Sequence, residues 1–174
     1  MAIPLENYYI SKPLVPGKWA RNNPINYAQS YAAAASGIAF GRAVQIASTD
    51  PGLVQVPSSS GLVFAGVALE SVDTHNTDYS TETYLAGAAV GVVTQGSVMV
   101  HVEEAVTPAS PVRVRITANT GVVPGSFCTT VDAGKTILLA PACAKFESAS
   151  SSGIGETGLM AELFLMKPFT FTAD

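Results

Sequence analysis

Turn-forming residues recur at short intervals from residue 38 onwards, so that no apolar segment there is longer than a typical β-strand. The chain contains 15 glycines and 11 prolines, and clusters such as Gln95-Gly96 and Ala133-Gly134 favour turns, the second as a hairpin. The segments between these clusters are predicted strands, at residues 39–47, 61–70, 90–94, 98–103, 112–117, 137–139 and 159–166. The sequence therefore predicts an all-β fold, a small β-barrel or β-sandwich of short antiparallel strands.

Two of the predicted strands alternate between apolar and polar side chains. Residues 98–103 and 112–117 carry valine or isoleucine at every second position, so one face of each strand is expected to point into the core. If these strands pair through the connection at 104–111, Glu103 lies near Arg113 or Arg115 on the exposed face. Such an exposed pair contributes about 0.2–1 kcal/mol and helps to set the register more than the stability.

The first 35 residues differ from the remainder of the chain. Four of the eleven prolines lie here and break any helix, and no alternation with a period of two develops. We therefore expect an extended N-terminal arm over residues 1–35 and a β-barrel or β-sandwich body over residues 36–174.

The arm is basic and rich in tyrosine and tryptophan, whereas the body is acidic. The arm has three basic residues and the single acid Glu6, while the body has six basic and twelve acidic residues. Amphipathic aromatic side chains are typical of interfaces. The acidic body argues against direct nucleic-acid binding. The residues predicted to contact a partner are Tyr8, Tyr9, Lys12, Lys18, Trp19 and Arg21.

Two segments match the spelling of nucleotide-binding motifs but lack their context. Residues 153–158 read G-x-G-x-x-G, yet a serine run precedes them and a predicted strand follows, so a turn is favoured. Gly134-Lys135-Thr136 ends like a phosphate-binding loop, but the glycine required five positions earlier is Thr129. Neither segment predicts a cofactor site.

The sequence predicts no catalytic or metal site. His75 lies in a polar loop without calcium-loop spacing, and His101 lies on a strand face without a nucleophile motif. Cys128 and Cys143 have neither zinc nor redox spacing, and we interpret them as reduced core thiols. We therefore expect a protein that is not an enzyme and needs no cofactor.

Neither a secretory signal nor a membrane segment is expected. Residues 1–10 include Pro4 and Glu6 where a signal peptide needs an apolar run. The longest apolar stretch, residues 84–93, contains two glycines and is far shorter than the roughly 20 residues that span a bilayer. Synthesis in the cytoplasm is the corresponding expectation.

Between residues 37 and 169, the order of several short sequence motifs resembles that of the structural cement, or head decoration, proteins of tailed bacteriophages. A Gly-x-Ala-Val strand at 41–46 is followed by a Gly-Val-Ala strand at 64–69 and by the valine-rich segment 90–102. A turn into a valine strand at 106–114 comes next, with Ala109-Ser110 where the family commonly has Gly-Asp. Residues 144–148 and 158–169 are similar to the closing pair of strands.

This resemblance implies a mechanical role. The chain would bind the major capsid protein on the outer surface of the virion, cement neighbouring capsomers against internal pressure, and act as a homotrimer made in the host cytoplasm. The family contributes no catalytic residues. Another virion β-module, such as a tail, collar or fibre component, remains the alternative. A small β-barrel hydrolase or sugar-binding protein is a third class, but the sequence lacks the convergent polar residues that it would need.

Overall fold

The computed structural model describes residues 15–21, 25–35, 37–58, 63–71, 77–78, 81–152, 158–167, 169 and 171–173. In these ranges the chain forms fifteen β-strands and no helix, which confirms the predicted all-β fold. It follows that none of the described residues belongs to a helix long enough to cross a membrane. The strands are β1 (Tyr27–Ala33), β2 (Ile38–Ala39), β3 (Ala43–Ile46), β4 (Leu53–Gln55), β5 (Phe64–Ala68), β6 (Thr77–Asp78), β7 (Thr83–Tyr84), β8 (Ala89–Val102), β9 (Arg113–Arg115), β10 (Phe127–Cys128), β11 (Thr136–Leu139), β12 (Ala144–Phe146), β13 (Ser151–Ser152), β14 (Leu159–Leu165) and β15 (Phe171–Ala173).

The fourteen-residue strand β8 runs through the whole molecule. Its first half pairs antiparallel with β1 and β5, and its second half pairs antiparallel with β14. The turn predicted at Gln95-Gly96 is therefore wrong. Both residues have strand partners, Tyr27 opposite Gln95 and Leu165 opposite Gly96, and this pairing keeps the chain extended.

Strands β1, β4, β3, β5 and β8 close into a five-stranded barrel. β1 completes the ring by pairing parallel with β4 and antiparallel with β8. Fully buried valines fill the interior, among them Val44, Val54, Val90 and Val92. Residues 27–33, which the sequence analysis placed in the extended arm, thus form a strand of the barrel. The sequence does not reveal this strand, because alanine holds three of its seven positions and its burial does not alternate.

A second and larger core lies along the other half of β8. Here the sheet runs β8-β10-β9-β11-β15, with β14 on β8 and with β12 and β13 on β14. The core contains Val98, Val100 and Val102 with Val114 and Leu163, so the predicted inward valine faces are confirmed. The predicted pairing of β8 with β9 is wrong, because Phe127 of β10 lies between Val102 and Val114.

Each of the seven predicted strand segments overlaps an observed strand, and the segments at 90–94 and 98–103 both belong to the single strand β8. The structure adds short strands that carry too few residues to show alternation, such as β4 and β10. The predicted turn at Ala133-Gly134 is present, with the Lys135 amide donating to the Asp132 carbonyl over 2.8 Å. It does not form a hairpin, since β10 and β11 lie on opposite sides of β9. The division into an arm and a body stays a prediction, and residues 1–14 lie outside the described ranges.

Candidate functional site

Residues 17–20 form a short segment that pairs with one edge of β8. The amides of Gly17 and Ala20 donate to the carbonyls of Met99 and Ser97, and the Met99 amide donates to the Lys18 carbonyl, each over 2.9 Å. Trp19 forms a β-bridge with Val98. Residues 17–20 are therefore bound to the body by backbone hydrogen bonds, which no side-chain pattern in the sequence indicates.

Two glycines allow the chain to approach the barrel this closely. At Gly17, with φ of +76°, a Cβ atom would lie 2.5 Å from the Glu70 amide nitrogen. At Gly96, with φ of +112°, a Cβ atom would lie 2.9 Å from Cα of Asn26. The N-terminal segment therefore passes over β8 at a position where a side chain would block it.

Three of the six residues predicted to contact a partner are directed toward the protein's own body. Lys18 forms an ion pair with Glu70 at 3.5 Å, and Arg21 forms one with Glu162 at 2.5 Å. The indole of Trp19 packs against the larger core. The carboxylate of Glu162 raises the pKa of Arg21 by hydrogen bonding and by charge. Tyr8, Tyr9 and Lys12 lie outside the described residues.

The exposed apolar side chains give the surface its most evident capacity to bind another protein. Tyr27 pairs with Gln95 of β8, Ile25 lies two residues before it, and Met166 follows directly on Leu165, which pairs with Gly96. Tyr27 is 56% exposed. Val63, Leu85, Val123 and Val131 are exposed elsewhere. Such side chains favour burial against a partner.

A buried ion cluster occupies the polar face of β9. Arg115 donates from Nε and Nη2 to the two carboxylate oxygens of Glu103 over 2.8 and 2.7 Å, and from Nη1 to Asp132 over 2.7 Å. The side chains of Arg115 and Glu103 are only 7% and 9% exposed. The predicted proximity of Glu103 to Arg115 is confirmed, but the prediction that this face is exposed is wrong, because both side chains are buried and Arg115 also binds Asp132 of the loop at 129–135.

Glu104, just after the end of β8, binds the loop at 129–135. Its Oε1 accepts hydrogen bonds from both backbone amides of Thr129 and Thr130, over 2.8 and 2.7 Å, and both threonine hydroxyls also donate to its carboxylate. Burial raises the pKa of Glu104, but these four hydrogen bonds outweigh burial and hold the pKa below its usual value.

A cleft of about 230 Å³ brings Arg42 and His101 together. Arg42 donates from Nη1 to Oγ of Ser126. Nε of Arg42 is buried and has no acceptor among the described residues. Burial lowers the pKa of Arg42 to about 10, and burial together with the charge of Arg42 lowers that of His101 to about 4. No pattern in the sequence indicates this cleft, because positions 42, 101 and 126 are far apart in the chain.

The remaining candidates from the sequence add no chemistry to these surfaces. Cys128 and Cys143 are buried and unbridged. Within the described ranges, no group of three or more histidine, cysteine, aspartate or glutamate residues could hold a metal ion. His75 and residues 153–157 of the G-x-G-x-x-G segment lie outside those ranges.

Comparison with known proteins connects this architecture to phage capsids. A family model described as "Structural cement protein (E217 gp24/Pam3 gp6)" matches residues 6–163. No curated protein matches the sequence. Among solved structures, a chain from "The capsid of Myoviridae Phage XM1" shares the fold with a TM-score of 0.65 and 18% identity, over 96% of this chain and 99% of that chain. The family match spans most of the sequence, and the chain belongs to the structural cement protein family of phages.

Proposed function

We propose that this protein binds the outer surface of a phage capsid and cements neighbouring capsomers against internal pressure, without enzymatic activity. The observation that carries the proposal is the match of residues 6–163 to a family of structural cement proteins. A fold shared with a chain of a phage capsid structure is consistent with it.

The mechanism is a linkage between binding and assembly. A protein that binds the assembled shell but not its separate subunits stabilises the shell by about 2.7 kcal/mol at each site when its free concentration is 100 times Kd. A cementing protein must itself be stiff if it is to transmit force between neighbouring capsomers. The closed barrel and the long strand β8, which belongs to both cores, provide that stiffness.

The N-terminal segment is the proposed capsid contact. Trp19 and the ion pairs of Lys18 and Arg21 anchor the segment to the body. Tyr8, Tyr9 and Lys12 precede this anchor and would contact the shell or a neighbouring subunit. The tyrosine rings would bury apolar area, and Lys12 would favour an acidic surface. A homotrimer would present three such segments and gain avidity from their high effective concentration.

Decoration of purified heads tests this proposal. Undecorated heads are mixed with wild-type protein or with a Tyr8→Ala, Tyr9→Ala, Lys12→Ala variant, and cryo-electron microscopy measures occupancy while heating measures DNA release. We expect wild-type protein to occupy the outer surface and to raise the temperature of DNA release. The variant is expected to need at least tenfold more protein for equal occupancy.

A Val131→Ala, Lys135→Ala variant is the matched control, because it removes an exposed apolar group and a positive charge from a loop of the body. It should decorate as the wild type does. No density on the head would contradict cementing, and density on a tail or fibre of whole virions would favour another virion module. Equal loss in both variants would contradict the N-terminal contact, and a monomer in light scattering, free and with capsid, would contradict the trimer.

A further inference from the structure

In the part of the chain that the structure describes, the cleft between β8 and the loop that ends at Ser126 contains a cation without a matching anion. Arg42 and His101 lie on its wall with Glu103, but both carboxylate oxygens of Glu103 are engaged by Arg115. Arg115 in turn also binds Asp132. These acids are thus committed to Arg115, and no described residue forms a direct ion pair with Arg42.

The hydrogen-bonding capacity of Arg42 is likewise incomplete. Its Nη1 donates to Ser126, whose own hydroxyl donates to the Val123 carbonyl over 2.7 Å. Nε is buried without an acceptor in the described part of the chain. A buried guanidinium donor without an acceptor is costly, and a carboxylate is the acceptor whose two oxygens match the guanidinium geometry.

The shape of the cleft favours a carboxylate on a short aliphatic stem over an inorganic ion. Apolar side chains of Val102, Val122, Val123 and Leu159 form much of the lining. Val123 is 50% exposed and lies where the cleft meets solvent. Methylene groups of an aspartate or glutamate side chain could pack against these walls while the carboxylate reaches Arg42, and a fully hydrated ion would gain nothing from them.

We propose that this cleft is a carboxylate-binding site formed by Arg42 and His101, and that it receives an acidic side chain of a neighbouring protein in the virion. The second half of the proposal rests on the proposed function, whereas carboxylate binding itself does not. Burial and the neighbouring Arg42 hold the pKa of His101 near 4, so the imidazole is neutral at pH 7 and can donate one ring N–H to the ligand. A bound carboxylate would favour the charged imidazole and raise that pKa.

NMR titration of the isolated protein tests the first half, with sodium glutarate as the probe and sodium chloride at equal ionic strength as the reference. We expect saturable shifts of the Arg42 Nε–Hε and His101 ring signals, and a rise of the His101 pKa with glutarate only. Arg42→Gln should weaken binding at least tenfold, and Arg42→Lys should weaken it less. Lys145→Gln, which alters an exposed lysine paired with Glu147, should leave it unchanged.

Identical shifts with chloride, or wild-type affinity in Arg42→Gln, would overturn the site. The wild-type titration answers this question even if a variant fails to fold. Decoration of heads tests the second half, and Arg42→Lys is expected to lower occupancy while Lys145→Gln does not. Full occupancy by a variant that no longer binds glutarate would refute an acidic partner side chain. Glutarate binding by a wild-type protein that decorates no head would instead contradict the proposed function alone.

Discussion

Removing the buried arginine of the ion cluster should destabilise the protein far more than removing an exposed lysine. In Arg115→Met, the carboxylate of Glu103 keeps its burial and loses both of its donors. Breaking a buried pair from one side typically costs 3–5 kcal/mol. We expect about 3 kcal/mol, near the lower limit of that range, because Asp132 at the edge of the cluster is partly exposed and keeps Lys135 and Asn119 as partners.

A double-mutant cycle separates the charge effect from general damage to the core. Arg115→Met combined with Glu103→Met removes both charges, and such apolar replacements are often neutral, so the double variant should lie within about 1 kcal/mol of the wild type. The coupling energy between the two positions should therefore be about 2 kcal/mol or more. Lys145→Met is the control, because Lys145 forms an exposed pair with Glu147 at 3.3 Å and should contribute about 0–1 kcal/mol.

Urea denaturation at one fixed protein concentration measures these differences. A loss of about 3 kcal/mol also predicts a fall in Tm of roughly 6–12 °C for a domain of this size. The reasoning is refuted if Arg115→Met costs less than the Lys145 control. It is equally refuted if the double variant is as unstable as Arg115→Met, since the damage would then come from packing rather than from an unpaired charge.

Three further predictions concern single positions. Gly96→Ala should lower the free energy of unfolding in urea by about 2–4 kcal/mol, because the new Cβ meets Asn26 and the backbone is strained. Gly87→Ala is the control and should cost only about 1–2 kcal/mol, because its Cβ meets nothing within 4 Å. Equal costs would contradict the close contact between Gly96 and the N-terminal segment. Because the folded pKa of Glu104 lies below its usual value, its stabilising contribution is complete above the unfolded pKa and is lost as pH falls through the folded pKa. The free energy of unfolding, measured from pH 6 to pH 2, should therefore decline less steeply in Glu104→Gln than in the wild type. Parallel curves would contradict the stabilising role of the Glu104 hydrogen bonds. Burial, with Glu103 nearby, raises the pKa of Cys128 to about 12, so a thiol reagent at pH 8 should modify it only at the rate of unfolding, and rapid labelling of folded protein would disprove its burial.

The local features of the fold could be predicted from the sequence because they depend on neighbouring residues. Turn clusters limit strand length, and the alternation at 98–102 and 112–116 requires one face of each strand to be buried. The all-β class and the inward valines are therefore correct. The same reasoning failed at Gln95-Gly96, since a glycine signals a turn in sequence whether the structure needs a reversal or only room for a crossing chain.

The tertiary structure decided which strands pair and whether the polar face of a strand is buried. Period-two alternation does not specify which strands pair. No local pattern therefore predicts that Phe127 lies between Val102 and Val114, or that residues 27–33 close the barrel. Arg115 looks exposed in the sequence because its face is polar, but in the fold it is buried against Glu103 and also binds Asp132 of the loop at 129–135. The cleft of Arg42 and His101 exists for the same reason, since long-range packing brings together charges that no local pattern relates.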